Sequence, residues 1–177
     1  MIIRLAFAAI LFLGLTQTTD KKPAGGDWTE TQSVDEISGS KSQMFVLPAK
    51  EAITDGLKKA TPNLVFGCTH FKDSSLVKFR FLAVSTGISV GLPDENSGKI
   101  PHKHVRARID DTPYEKESWE LGHNDLTVPP DLMVKVLKSK VFLVQFEGAD
   151  GNDYTVKFSP LGINEKILAD ECDFKLP

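Results

Sequence analysis

The chain has 177 residues, with 21 Lys+Arg against 24 Asp+Glu, a formal net charge of −3, and 41% of its residues are hydrophobic. That length and apolar content suffice for one domain with its own core, and exclude a chain held open by its charge. The weak negative balance argues against nucleic acid or an anionic membrane surface as a partner.

The N-terminus reads as an export signal. "MIIRLAFAAILFLGLTQTTDKK" carries one positive charge, Arg4, and then an uncharged run from Leu5 to Thr19. Its strongly apolar part, Leu5 to Leu15, falls short of the roughly 20 residues a membrane-spanning helix needs. Thr16 and Thr18 supply small residues at the two positions a cleavage site uses, so residues 1–18 are expected to be a signal peptide. No cysteine follows the apolar run for lipid attachment. Residues 19–27, "TDKKPAGGD", form a polar leader expected to be flexible. Residues 28–177 remain as a single β-rich domain. The expected location is the periplasm or outside the cell, with no membrane insertion after cleavage.

Export bears on the only two cysteines, Cys68 and Cys172. In an oxidising compartment such a pair is most simply a disulfide. Neither has a neighbouring cysteine or a set of histidines at metal-ligand spacing. His70 shares a strand face with Cys68, and a thiol–imidazole pair is the weaker alternative. A bridge would close a loop of about 100 residues, nominally worth 4–5 kcal/mol in the chain-entropy model.

From Trp28 onward the dominant signal is period two. In "LVKFRFL", Val77, Phe79 and Phe81 share one face and are expected in the core. In "VFLVQF" the same phase holds Phe142, Val144 and Phe146, and in "YTVKF" it holds Tyr154, Val156 and Phe158. Alternation of this kind marks half-buried antiparallel strands. "EGADGND" between the last two carries the Asp-Gly turn signal, while its acidic residues miss the spacing of a calcium loop. Two segments have helical periodicity instead. "PPDLMVKVLKSK" starts on prolines and sets Leu132, Met133, Val136 and Leu137 on one side. "LGINEKILADEC" places Ile163, Ile167 and Leu168 on one stripe, offers Asn164 as N-cap, and delivers Cys172 at its end. The expected fold is mainly β: an antiparallel β-sandwich or partly open barrel with two short helices, the second fastened by the disulfide.

"HKHVRARIDD" is the most polar strand. Val105, Ala107 and Ile109 form its inward face, and His102, His104, Arg106, Arg108 and Asp110 the other. H-x-H on a strand binds zinc only if a third ligand joins, with His123, Asp110 or Asp111 as candidates. Trp28 and Trp119 read as core or rim aromatics. Should "ESWELGHND" pair with this strand, Trp119 comes near its basic face. Arg106, Arg108, Asp110 and Trp119 are therefore the candidate interaction surface, since Arg and Trp dominate interface hot spots. The alternative is that Arg108 and Asp110 only hold the sheet together. No G-x-S-x-G, P-loop, H-E-x-x-H or G-x-G-x-x-G occurs, and nothing points to catalysis, a cofactor or a resident metal.

A set of short motifs runs through the mature chain in order. It comprises Trp28, then Pro62, Leu64 and Cys68 in "TPNLVFGC", "RID" at Arg108 to Asp110 and "ESW" at Glu117 to Trp119. "FSPLG" at Phe158 to Gly162 and "CDF" at Cys172 to Phe174 complete it. The order resembles the type VI secretion accessory family VasI/TagO. Phe174 stands where that family commonly has tryptophan, and "HKH" and the long "LPDENSGKIPHK" loop are not features of it. The resemblance implies a β-rich, exported, non-enzymatic protein of the bacterial cell envelope, with an envelope or secretion-system protein as partner. Invasion-associated locus B proteins are a second, more distant likeness, with more cysteines and a tryptophan-centred motif not found here. A small ligand- or metal-binding or inhibitor-like β protein of the periplasm is the remaining alternative.

Overall fold

The computed structural model describes residues 27–37, 39–56, 58–71, 79–97 and 100–177. The expected signal peptide, all of the expected leader except Asp27, and Val77 lie outside the described residues. In chain order the elements are β1 (Thr29–Val34), β2 (Lys41–Pro48), β3 (Ile53–Asp55), β4 (Lys58–Ala60), β5 (Asn63–His70), β6 (Phe79–Ser85) and β7 (Glu95–Ser97). There follow β8 (Ile100–Ile109), β9 (Thr112–Leu121), β10 (Asp125–Thr127), α1 (Pro130–Lys138), β11 (Phe142–Glu147), β12 (Asp153–Phe158) and α2 (Glu165–Cys172). The fold is mainly β with two short helices, as the alternation predicts.

One antiparallel sheet runs in the order β1-β2-β5-β6-β10-β9-β8-β11-β12, with β7 added to β8, and β3 and β4 make a separate hairpin. The ladder does not close into a barrel. Its two ends nevertheless meet. The Trp28 Nε1–H donates to the Pro160 carbonyl at 2.7 Å, and the Lys50 N–H donates to the Lys157 carbonyl at 2.9 Å. The sheet thus wraps around a single core, in which Trp28, Phe45, Phe66, Trp119, Phe142, Phe146 and Phe158 are fully buried. Polar backbone inside that core is satisfied by the ladders, which is why burial on this scale carries little hydrogen-bond penalty.

The expected inward faces of β8, β11 and β12 hold: Val105, Ala107, Ile109, Phe142, Val144, Phe146, Val156 and Phe158 are all buried. The expected phase of β6 does not. Phe79 is 60% exposed and Phe81 half-buried, while Leu82 and Val84 point inward. The neighbouring strand sets this phase. β5 turns Leu64, Phe66 and Cys68 inward, and their partners across the ladder are Val84, Leu82 and Arg80. Phe81 instead lies over Gly67 on the outer face, where a Cβ would come within 2.4 Å of its ring. The glycine leaves room for an aromatic that the core does not need.

Both helices are closed by the residues at their ends. α1 has Pro130 in its first turn, Asp131 near its positive end and Lys135 and Lys138 near its negative end. It buries Leu132, Met133, Val136 and Leu137. In α2 the Asn164 side chain accepts from the Ile167 N–H at 3.3 Å, and Asp173 exits in the left-handed region with φ 49°. Cys172 is bonded to Cys68, with Cα atoms 5.6 Å apart, so α2 is fastened to β5 as expected. The C-terminal tail follows the same line. Phe174 packs on Phe66 with ring centroids 5.4 Å apart, and Arg80 donates to the Asp173 carbonyl at 3.0 Å.

One buried acid sits beside the N-cap of α2. Glu30 on β1 is 6% exposed, and its Oε1 has no hydrogen-bond partner among the described residues. Burial pushes its pKa above the ordinary 4.5, against a hydrogen bond with the Asn164 side chain that pulls the other way. A carboxyl with a raised folded pKa contributes fully below its unfolded value, and the contribution is lost as pH rises through the folded value. Glu30→Gln keeps the shape and removes the charge. It is expected to raise the melting temperature at about pH 7.5, with the gain shrinking toward about pH 4. A pH-independent difference would show that the glutamate charge is already well solvated.

Candidate functional site

β8 carries the most polar outward face of the sheet. His104, Arg106 and Arg108 are exposed and His102 partly so, while Lys103, Val105, Ala107 and Ile109 face inward. Arg106 pairs with Glu115 across the hairpin, Nε to Oε2 at 3.3 Å, and reaches the Gln145 Oε1 at 3.5 Å. Arg108 lies between Pro113 on β9 and Leu143 on β11. Two members of the expected surface are therefore brought together on one face.

The other two are not. Asp110 sits in the tight turn after β8 with φ 51°. Its carboxylate accepts the N–H groups of Lys140 and Val141, at 2.9 and 3.0 Å, and its own N–H donates to the Val141 carbonyl at 2.8 Å. It anchors the turn to the start of β11 and is not part of the basic face. Trp119 is fully buried, with its ring stacked on Phe142 at 6.3 Å between centroids. β8 and β9 do pair as a hairpin, but with a bulge. Ile109 faces Thr112 and Ala107 faces Tyr114, whereas Val105 faces Glu117 and Lys103 faces Trp119. The extra residue on β9 lies at Glu115–Lys116, where Lys116 adopts φ 56°. One inserted residue flips every later side chain to the other face, which carries Trp119 from the basic side into the core.

The same inward parity buries a lysine that the strand pattern alone did not bring to notice. Lys103 is only 3% exposed. Its Nζ donates to the Leu92 carbonyl at 3.0 Å, to Asp94 Oδ1 at 3.2 Å and to Glu147 Oε2 at 3.4 Å, so all three protons have acceptors. Its position in sequence, two before Val105, is the signal that could have found it.

Lys103 marks a fork in the sheet. β8 pairs with β11 from Ile109 to Arg106 and then changes partner to β7, beginning at His102. The segment before β7 wedges the two apart. Val90 bridges to Gly148, the Gly91 N–H donates to the Glu147 carbonyl at 2.9 Å, and Asp94 Oδ2 accepts the His104 N–H at 2.7 Å. Asp94 thus replaces a missing strand on one side and meets Lys103 on the other. Burial works to raise its pKa, but the His104 N–H, the Lys103 ammonium and the nearby His104 ring outweigh that and hold it below the ordinary carboxylate value. At the fork lies a groove of about 380 Å³, lined by His104, Arg106, Lys116, Gln145, Glu147 and Asp153 over the Lys103–Asp94 pair.

The remaining candidates fall elsewhere. Cys68 is bonded to Cys172, and the His70 Nε2 meets the Glu171 carbonyl at 2.7 Å, so no thiol–imidazole pair forms. His123 lies in the turn between β9 and β10. Asp110 is eight residues from His102 along a strand, or about 26 Å at 3.3 Å per residue, too far to share an ion with it. Among the described residues no group of three or more His, Cys, Asp or Glu is placed to hold a metal. The acidic hairpin after β11 is closed by itself. Asp150 accepts from Asn152 and from the Tyr154 hydroxyl at 2.6 Å, a contact that pushes the Tyr154 pKa up to about 12. Among the described residues no helix is long and apolar enough to cross a membrane.

Comparison with protein-family models, with characterised proteins and with solved structures finds no match to this chain.

Proposed function

We propose that the chain is an exported, non-enzymatic interaction protein of the bacterial cell envelope, of the kind implied by its resemblance to the VasI/TagO accessory family. It docks an envelope or secretion-system protein through the outward face of β8. The observation that carries this reading is the pairing of Arg106 and Arg108 on one exposed face of a strand whose opposite face is buried. Such a strand holds its arginines in fixed backbone register, so only side-chain freedom is lost when they engage carboxylates or backbone carbonyls of a partner. The leader pattern and the disulfide support export. The network of charges around the β8–β9 hairpin supplies polar, directional contacts of the sort found at the rim and centre of transient interfaces.

The test is charge reversal on that face. The Arg106→Glu, Arg108→Glu double variant changes exposed side chains and is expected to shift stability by no more than about 1 kcal/mol in total. It is expected to lose capture of the partner from envelope extracts. A folded double variant that still captures every partner of the wild type removes the proposal. A large drop in melting temperature, with capture falling only in proportion to folded protein, assigns the arginines to holding the sheet.

A further inference from the structure

We propose that the groove at the fork between β8 and β11 binds a short zwitterionic peptide of about three residues, its carboxylate on the β8–β9 side and its ammonium on the β11–β12 side. The lining charges are sorted by strand. The cationic Arg106 and Lys116 and the His104 ring come from β8 and β9, and the acidic Glu147 and Asp153 come from β11 and β12. Gln145 lies between the two walls, opposite Arg106 in register. Beneath the groove Lys103 is shared between Asp94 and Glu147, so Asp153 is the acid of that wall that it does not engage.

Both walls retain unused capacity. Arg106 has five N–H donors, and Glu115 and Gln145 engage two of its nitrogens. The side chains of Lys116 and Asp153 have no ion-pair or hydrogen-bond partner among the described residues. The bulge that buries Trp119 is also what sets Lys116 beside the groove, an arrangement in which bulges commonly re-aim a side chain.

Distance selects the ligand. Strands lie about 4.8 Å apart, so the β8 wall and the β12 wall are separated by two spacings, or roughly 10 Å. An extended tripeptide spans about the same length from ammonium to carboxylate, at roughly 3.3–3.6 Å per residue. A free amino acid holds its two charges within one residue length and cannot reach from the β8 wall to Asp153 on β12. The volume of about 380 Å³ lies at the small end of the range for small-molecule sites, roughly 300–1,000 Å³.

The probe is trialanine, titrated into the full-length mature, oxidised protein by calorimetry and by amide chemical shifts. Free trialanine is expected to bind, and N-acetyl-trialanine and trialanine amide each to bind about tenfold or more weakly. Lys116→Gln is expected to abolish the distinction between free carboxylate and amide, and Asp153→Asn the distinction between free amine and acetyl. Both positions are exposed, so both variants are expected to fold. Absence of binding up to about 10 mM overturns the proposal. So does equal binding of the doubly capped peptide, or shift changes confined to residues away from the fork. Arg108 does not line the groove. Partner capture read on Arg108→Glu alone therefore lets this proposal and the docking proposal fail separately.

Discussion

Removing the Cys68–Cys172 bridge, by reduction or by the double substitution Cys68→Ala, Cys172→Ala, is expected to lower stability by about 4–5 kcal/mol. The two residues are 104 apart in sequence, so the cross-link closes a long loop that runs from β5 to the end of α2 and constrains it in the unfolded state. Both cysteines are buried, so the native state also loses packed sulfur atoms. The loss will be felt first at α2. That helix has eight residues, too few to persist without tertiary contacts. Its remaining ties include Leu168 buried in the core, the Asn164 cap, Phe174 against Phe66, and the contacts of His70 and Arg80 with the carbonyls of Glu171 and Asp173. Denaturant melts with and without reductant measure the total, and amide exchange separates detachment of α2 from global unfolding. A change below about 1 kcal/mol would mean that the contacts around Phe174 suffice to hold the helix. Alkylation of two free thiols in folded protein from an oxidising compartment would deny the bridge altogether.

Strands β8, β11 and β12 were legible in the sequence because each alternates apolar with polar residues, so only one phase buries the apolar set. β6 was not, because "FRFLAV" is apolar on both faces. Phe79 and Phe81 outweigh Leu82 and Val84 in bulk, yet the ladder to β5 decides the phase, and that partner is a matter of topology rather than local pattern. Both helices could be read from their caps and stripes, and the end-to-end pairing of Cys68 with Cys172 from their being the only two cysteines. The candidate site was legible only in half. Arg106 and Arg108 follow from parity on a single strand. Asp110 and Trp119 depend on what the chain does at a turn and at a bulge, and neither Asp110 with φ 51° nor Lys116 with φ 56° is a glycine that would announce a left-handed backbone. Lys103 stayed hidden because a lysine on an inward face is rare unless acceptors converge on it, and the wedge that brings Asp94 and the Leu92 carbonyl is a long-range feature.

Trp119→Ala tests the bulge and is expected to be the most damaging single truncation, costing about 3–5 kcal/mol. The indole is fully buried, stacks on Phe142, and through Phe142 joins Phe158, whose ring centroid is 6.1 Å further on. Its removal opens a cavity in the middle of β9, β8 and β11, where all three strands contribute to one wall and little can collapse to fill it. Trp119→Phe is expected to cost far less than the alanine change. The ring survives, and the Nε1–H it sacrifices has no hydrogen-bond partner among the described residues. Phe79→Ala is the control. It truncates an aromatic of comparable size that is 60% exposed, and the change is expected to stay within about 1 kcal/mol. Urea melts of the three variants, compared at constant m-value, read the differences directly. The ordering Trp119→Ala far above Phe79→Ala follows only if the β8–β9 hairpin carries its bulge. A hairpin without it would place Trp119 on the outward face opposite His102, and the alanine change would then be nearly silent in the melts while weakening partner capture. A near-neutral Trp119→Ala would therefore overturn the register of β9 and restore the tryptophan to the interaction surface.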